Sequence, residues 1–317
     1  RSRLFTWERV AKQQGELYER VVGPRAAERR DAGKTRRPQV VVVSYGPPDL
    51  LGEALATLGS GFSVTIVDNS SLAETSAVAA AHGAVYIDAG ANLGFGAGVN
   101  VALRSLAERG LNADDVLLLN PDARIAEDQV DAMHALLHTD RTLAVVGATQ
   151  TEPGSASPVR VWWPFPHPAR AWIEAIGLGR LNRAQDFAIG SILLLRSEAV
   201  VDVGLFDERF FLYAEEVDWQ KRATDRGWRI AVANVRATHV GGGTSSDNEL
   251  RERFFHASAE TYMRKHAGGV GWQVYRAAMI FGSALRGAVL PGDRGRAARR
   301  RRDLYVRGPA SASSPER

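Results

Sequence analysis

The sequence predicts an α/β fold: a mostly parallel central sheet with helices on both faces, followed by C-terminal helices. Three observations carry that prediction. Between residues 39 and 147, short runs rich in Val, Ile and Leu alternate with segments of helical length. The connections are long enough for the crossovers that parallel strands require. The polar residues Ser44, Asp68, Asn92 and Asp122 follow the carboxyl ends of those runs, where open sheets of this kind bind ligands.

The elements follow in order. Val40-Val41-Val42-Val43 is an unbroken β-branched run, as expected of a strand buried on both faces. Ser44-Tyr45-Gly46-Pro47-Pro48 ends it, and Asp49 starts a helix to about Leu58. Val64-Thr65-Ile66-Val67 is a second strand, followed by a helix over residues 73–81 and a short strand over 84–87. Residues 94–109 read as a helix with a glycine-rich start. Val116-Leu117-Leu118-Leu119 is a fourth strand, ending at Asn120-Pro121-Asp122; a helix over 127–138 and a strand over 143–147 follow. Residues 151–168, rich in Pro, Ser and Trp, suggest a long loop or hairpin, and 187–195 a single strand. A short helix begins at Ser197, a longer one spans 215–226, and strands cover 228–232 and 235–239 before the Gly241-Gly242-Gly243 loop. Residues 250–266 and 272–290 read as terminal helices.

Composition bounds the rest. The 317 residues suit one large domain with appendages, and 45% hydrophobic content supports a sizeable core. The absence of cysteine excludes disulfides and thiolate-held zinc. Net charge is only +4, with the excess at the ends: Arg29, Arg30, Lys34, Arg36 and Arg37 early, then Arg294, Arg296 and Arg299 to Arg302. A balanced body with basic ends argues against nucleic-acid binding. It suits either solvated tails or an anionic membrane surface. No apolar run reaches the roughly 18 residues of a bilayer span. The expected organisation is an amphipathic helix (6–22) with a charged linker to 37, a catalytic domain over 38–247, C-terminal helices over 248–290 and a basic disordered tail over 291–317. The terminal helix carrying Trp272, Val274, Tyr275, Met279, Ile280, Phe281 and Leu285 either packs on the domain or lies at a membrane interface.

Several residues suit chemistry. Asp122 sits after a buried strand on a proline-held turn, where it either caps the turn or offers carboxylate oxygen to a hard divalent cation. Asp68 either caps the next helix or accepts hydrogen bonds from a base or ribose. Asn92-Leu93-Gly94-Phe95-Gly96-Ala97-Gly98 presents backbone N–H groups at a helix start, which favours an anion or a sugar. Glu215, Glu216 and Asp218 cluster behind the aromatic run Phe210, Phe211 and Tyr213. Such acids either complement a helix dipole or, desolvated, become bases. His239 precedes the glycine loop, either as a structural residue or within reach of a metal or phosphate.

The ordered set Val41-Val42-Val43-Ser44-Tyr45, Val67-Asp68-Asn69-Ser70, Asn92-Leu93-Gly94-Phe95-Gly96, Leu118-Leu119-Asn120-Pro121-Asp122-Ala123, Gly204-Leu205-Phe206-Asp207-Glu208-Arg209-Phe210-Phe211, Glu215-Glu216-Val217-Asp218 and His239-Val240-Gly241-Gly242 resembles the family 2 glycosyltransferases, nearest to their rhamnosyltransferase-like branch. The resemblance implies a GT-A fold and inverting transfer of a sugar, rhamnose or another hexose, from a nucleotide-diphosphate sugar. The acceptor would be a glycan or a polyprenyl-linked hydroxyl in cell-envelope polysaccharide synthesis, reached from the cytoplasmic face of the plasma membrane. It implies donor binding by Ser44, Tyr45, Asp68, Asn92, Gly94 and Asn120, and Mg2+ or Mn2+ held by Asp122 with His239. It places the catalytic base at Glu216, with Glu215 and Asp218 as competitors, and the acceptor side at Phe211, Tyr213 and Trp219. Asn120 stands where the generic metal motif has Asp, so Asp122 carries more of the metal binding. Glu216 stands where Asp is commoner. Residues 5–11 resemble the C-terminal helix of family 4 glycosyltransferases, which leads to the expectation that the chain was cut from a longer fusion. A sugar nucleotidyltransferase is the main rival. It would carry a basic glycine-rich signature near the first strand, and residues 44–48 hold no Lys or Arg. The other rival is a non-catalytic nucleotide- or carbohydrate-binding module, against which the retained Asp122 and Glu216 argue.

Overall fold

The computed structural model describes residues 36–155, 157–241 and 248–310. The expected N-terminal helix, most of the glycine loop and the last seven residues lie outside them.

Strands β1 (Gln39–Ser44), β2 (Val64–Asp68), β3 (Val85–Asp88), β4 (Val116–Leu119), β6 (Leu143–Ala148), β11 (Ile192–Leu195) and β12 (Arg229–Ala233) form one seven-stranded sheet in the order β12-β6-β11-β4-β1-β2-β3. All run parallel except β11, which is antiparallel to both its neighbours. Side chains alternate across the sheet. Val40, Val42, Ile66, Leu117 and Leu119 face helices α1 (Asp49–Leu58) and α4 (Glu127–Thr139). Val41, Val43, Val67, Val116 and Leu118 face α3 (Phe95–Glu108), α6 (Ser197–Val203) and α7 (Glu215–Asp225). Helix α2 (Ala73–Ala81) lies in the β2–β3 crossover. Burial on both faces explains why the strands read as unbroken apolar runs.

A second sheet joins β5 (Ala123–Ile125), β13 (Ala237–His239), β7 (Gln150–Thr151) and β8 (Pro158–Val159). Strand β5 begins directly after Asp122 and did not stand out from its neighbours in the sequence. The expected strand over 187–195 is two: β10 (Phe187–Ala188), which pairs with β9 (Trp162–Trp163), and β11, separated by Ile189-Gly190-Ser191. The segment 151–168, expected as loop or hairpin, holds β8 and β9 and runs into α5 (Pro168–Ala175).

The C-terminal part departs further from expectation. Helix α8 (Asn248–Val289) bends at Gly268, whose φ of 69° is available to glycine and outside the helical range. Residues expected as a disordered tail instead form α9 (Gly292–Arg307). Its arginines are used: Arg301 binds Glu252, and Arg299 donates to the Gly287 carbonyl. Tyr305 is buried against Trp272 and Tyr275. Charge composition alone misled here because those arginines find acids and helix-end carbonyls on α8.

The glycine-rich start of α3 is positioned by close backbone approach. Gly94 has φ 84°, and a Cβ there would lie 2.1 Å from the Phe211 carbonyl oxygen. Phe95 N donates to that same oxygen at 3.1 Å. Gly94→Ala therefore combines left-handed strain with a backbone clash, and we expect it to cost roughly 2–4 kcal/mol. Urea unfolding followed by far-UV circular dichroism measures this; a midpoint equal to the parent's would contradict the packing described.

Candidate active site

The carboxyl ends of the parallel strands open into a cleft of about 190 Å³, lined by Phe95, Asn120, Ile189, Gly190, Ser191, Leu212, Glu215, Glu216 and His239. The topology has its switch point nearby, between β1 and β4, where chain connections diverge and leave a crevice.

One wall is the β4–β5 turn. Strand β13 pairs with β5 in a register that sets His239 opposite Ala123, and so beside Asp122. His239 Nε2 lies 3.1 Å from Asp122 Oδ1, and Val240 N donates to the Asp122 carbonyl at 3.1 Å. Asp122 is buried and lies behind the imidazole. Asn120 N donates to the Ser191 carbonyl, and Ser191 Oγ donates to Gln150 Oε1 at 2.8 Å. Reversed strand β11 thus brings Gly190 and Ser191 to the floor of the cleft. These two residues and Gln150 escaped the sequence reading; the only signal was a glycine interrupting an apolar run.

The opposite wall is the start of α7. Tyr213 and Ala214 precede it with φ of 69° and 65°, a conformation that side chains disfavour. Neighbouring contacts hold them there: Ser258 Oγ donates to the Leu212 carbonyl, Arg251 Nε donates to Tyr213 Oη, and Asp218 N donates to the Ala214 carbonyl. The sharp turn aims the first residues of the helix into the cleft. Glu215 is buried, and Glu216 is partly open to the cleft. The Oε2 atoms of both are buried without a hydrogen-bond partner among the described residues. Burial, then the charge of Glu216, holds the Glu215 carboxyl well above the usual carboxylate range. Burial also raises Glu216, against backbone N–H groups of Glu216, Val217 and Gly190 that favour its charged form. Gly190 leaves room for this carboxylate: a Cβ there would lie 3.2 Å from Glu216 Cγ.

Two expected site residues lie elsewhere. Asp218 points away from the cleft, fully buried among His266 at 2.8 Å, Lys265 at 2.6 Å and Arg222 at 2.9 Å. Burial alone raises its pKa, but those three partners outweigh it and hold the carboxyl below its usual value. Trp219 is buried, stacked on Phe206 at 5.9 Å, and donates to the Gly204 carbonyl. It anchors α7 in the core and does not face an acceptor. At i+3 and i+4 both share the Glu215 side of α7 one turn further along, where Phe206, Lys265 and His266 pack against them. Phe211 and Tyr213 are half-buried, against Phe254 and Phe255 of α8.

The residues expected at the donor end include Ser44, Tyr45, Asp68 and Asn92. Asp68 is fully buried, and its carboxylate accepts from Ser70 N, Leu72 N and Tyr86 Oη at 2.8, 2.9 and 3.1 Å. It shapes the loop after β2 and offers no surface to a ligand in this conformation. Burial, then the Asp68 bond, pushes the Tyr86 phenol up to about 12. Ser44 is buried, and Tyr45 stands half-exposed above it. Asn92 Oδ1 accepts from Gly94 N, closing the turn that starts α3. Asp88, level with Asp68 on neighbouring β3, is the exposed acid here and was not singled out from the sequence. Ser71, then Gly90 N, lowers its pKa.

No model of a known protein family matches the chain. It is 30% identical over 302 residues to the N-acetylglucosaminyl-diphospho-decaprenol L-rhamnosyltransferase of Mycobacterium tuberculosis, covering 85% of this chain and 97% of that protein. It is 27% identical over 204 residues to a low-salt glycan biosynthesis hexosyltransferase of Haloferax volcanii, covering 62% of this chain and 64% of that protein. A mannosyltransferase from Pyrobaculum calidifontis, solved with GDP-Man and Mn2+, superposes with TM-score 0.53 at 14% identity, over 96% of this chain and 91% of that one. Glucosyl-3-phosphoglycerate synthase from Mycobacterium tuberculosis gives 0.53 at 18% identity, over 77% of this chain and 85% of that one. The shared architecture is the GT-A fold.

The raised carboxyls have a consequence for stability. A buried acid whose folded pKa exceeds its ordinary 4.5 favours the folded state fully below that ordinary value, and the benefit is lost as pH rises through the folded pKa. Glu215→Gln removes this dependence. The variant should gain in unfolding free energy relative to the parent as pH rises above 4.5, by about 1.4 kcal/mol for each unit separating the two pKa values. Parallel pH–stability curves for variant and parent would refute the assignment.

Proposed function

The chain belongs to the family 2 glycosyltransferases of GT-A fold, in their rhamnosyltransferase-like branch, and from that membership we propose that it moves rhamnose or a related hexose, with inversion, from a nucleoside-diphosphate sugar to a hydroxyl of a polyprenyl-diphosphate-linked glycan. The observation that carries the reading is the pair of buried, charge-averse carboxyls at the start of α7, placed in one cleft with His239 and Asn120 of the β4–β5 wall. The rhamnosyltransferase likeness over almost all of that protein's length supports the choice of sugar and acceptor class.

Glu216 acts as general base. Its carboxylate takes the proton of the acceptor hydroxyl while that oxygen attacks the anomeric carbon and the bond from that carbon to the phosphate oxygen breaks. The proton ends on Glu216, and the nucleoside diphosphate leaves. Glu215, more deeply buried, favours its neutral form more strongly than Glu216 does, and the two carboxyls titrate as an interacting pair. A carboxylate raised toward neutral pH is a stronger proton acceptor than one at its ordinary value.

The wall opposite suits a cation. Asp122 and His239 converge at 3.1 Å with one oxygen and one nitrogen donor, beside the Asn120 amide, and this donor set fits Mn2+ or Mg2+. Held there, such a cation supplies charge neutralisation for the departing diphosphate. Half-exposed Tyr45, with Asp88 near the β2 loop, is placed to receive the base and ribose, and Phe211 with Tyr213 borders the acceptor side.

The acceptor class suggests where the protein works. No helix among the described residues is long and apolar enough to cross a membrane. Of the residues expected on an interfacial helix, Trp272, Tyr275, Met279 and Ile280 pack into the domain, but Val274, Phe281 and Leu285 are exposed. Phe281 meets Trp172 of α5, and around them Ile176, Leu181, Leu285 and Val289 stay exposed, Leu181 and Val289 by 72% and 70%. This apolar face, flanked by the basic α9, fits peripheral contact with the inner face of an anionic membrane.

Two measurements test the proposal. Glu216→Gln and Asp122→Ala should each lower kcat by roughly 10²–10⁴ with the fold intact by circular dichroism; near-parental turnover of UDP-, GDP- or dTDP-sugar by either variant removes that residue from its role. The double variant Leu285→Glu, Val289→Glu should lose most of its co-sedimentation with phosphatidylglycerol vesicles. Undiminished co-sedimentation would rule out this face as the membrane contact.

A further inference from the structure

A second cluster of ligating side chains lies at the far end of β4 from the cleft. His134 and His138 are one turn apart on α4, with rings T-shaped at 86° and centroids 4.7 Å apart. Asp115 immediately precedes β4. Asp115 Oδ1 accepts from Ser197 N at 2.8 Å, which fixes the carboxylate and turns Oδ2 toward the helix. Oδ2 then lies 3.0 Å from His134 Nε2 and 2.7 Å from His138 Nε2, and the two Nε2 atoms are 3.1 Å apart. Three potential ligand atoms thus occupy one small triangle.

Hydrogen bonds do not satisfy a triangle of this kind. Each imidazole has at most one proton at Nε2, so two of the three contacts can be filled; the third is a pair of donors or a pair of acceptors facing each other. A cation at the centre satisfies all three at once. Tetrahedral zinc, with bonds near 2.0–2.1 Å, sets neighbouring ligand atoms about 3.3 Å apart, so the observed triangle needs to expand by only a few tenths of an ångström. Two imidazoles and one carboxylate suit Zn2+, Co2+ or Ni2+ better than Mg2+ or Ca2+, which prefer all-oxygen shells. Asp114, the preceding acid, is buried and accepts from Gln39 Nε2 at 3.0 Å, outside the triangle. His138 is 34% exposed, which leaves a way in and a position for water.

We propose that Asp115, His134 and His138 bind one transition-metal ion of the Zn2+ class, a site separate from the cleft and about 13 Å of strand away from the β4–β5 turn. The ion ties α4 to the amino end of β4 and, through the Asp115–Ser197 contact, to the start of α6. This role is structural and independent of sugar transfer.

The test uses the full chain, stripped with chelator and titrated with Zn2+ or Co2+. The parent and the Asp122→Ala variant should each bind Zn2+ with a rise of several degrees in melting temperature, and should give the intense visible absorption of four- or five-coordinate Co2+. His138→Ala, on the half-exposed helix face, and Asp115→Asn, which keeps the acceptor for Ser197 N, should lower Zn2+ affinity at least tenfold and lose the Co2+ bands. Mn2+-supported sugar transfer by His138→Ala should stay near the parental rate. Retention of the Zn2+ shift and Co2+ bands in both His138→Ala and Asp115→Asn, their loss in Asp122→Ala, or no Zn2+ response in the parent would each overturn the site.

Discussion

The reversed direction of β11 is the constraint on which the cleft depends. In a sheet whose other strands all run parallel, β11 enters from the carboxyl end, so the residues before it lie where ligands bind. Backbone pairing carries Ser191 to Asn120, and the absence of a side chain at Gly190 admits Glu216. One strand therefore joins the wall of Asp122 and His239 to the wall of Glu215 and Glu216. Had β11 run parallel, its amino end would lie at the opposite edge and the two walls would have no common floor.

Energetically, the site is held against its own preferences. Two acids are buried side by side, and Tyr213 and Ala214 adopt a left-handed backbone that costs on the order of 1–3 kcal/mol each. The surrounding packing sustains this. Trp219 and Gln220 fasten α7 from behind: the indole donates to the Gly204 carbonyl, and the amide bonds both to Ala188 N and to the Ala188 carbonyl. Asp218 is neutralised by three cationic or ionisable partners, which leaves Glu215 and Glu216 as the acids whose charge the protein resists. Acids of one helix turn thus acquire opposite titration behaviour, because Asp218 meets Arg222, Lys265 and His266 while Glu215 and Glu216 are desolvated without such partners.

The C-terminal helices complete the active site as well as extending the domain. Residues of α8 hold Leu212 and Tyr213 in place, and Lys265 and His266 supply two of the Asp218 partners. The arginine-rich α9 is ordered because Glu252 and helix-end carbonyls receive it. The same helices carry an apolar outer face. A chain segment that composition marks as an appendage is therefore coupled to the carboxyl pair through a few direct contacts.

The sequence by itself determined the sheet of parallel strands, their order along the chain, the helices between them and the polar residues at their carboxyl ends. These follow from local periodicity and from burial of whole strands, which any short window records. It also pointed to Asp122 and His239 as candidate cation ligands and to three acids as candidate bases. The tertiary structure distinguished those acids, because only Asp218 meets Lys265 and His266 of α8. It placed Trp219 in the core against Phe206, and Asp68 in its own loop, bonded to Ser70, Leu72 and Tyr86. It brought Gly190 and Ser191 to the cleft, Gln150 to Ser191 behind it, and Asp115 to His134 and His138, through strand pairing and helix packing that no local pattern encodes.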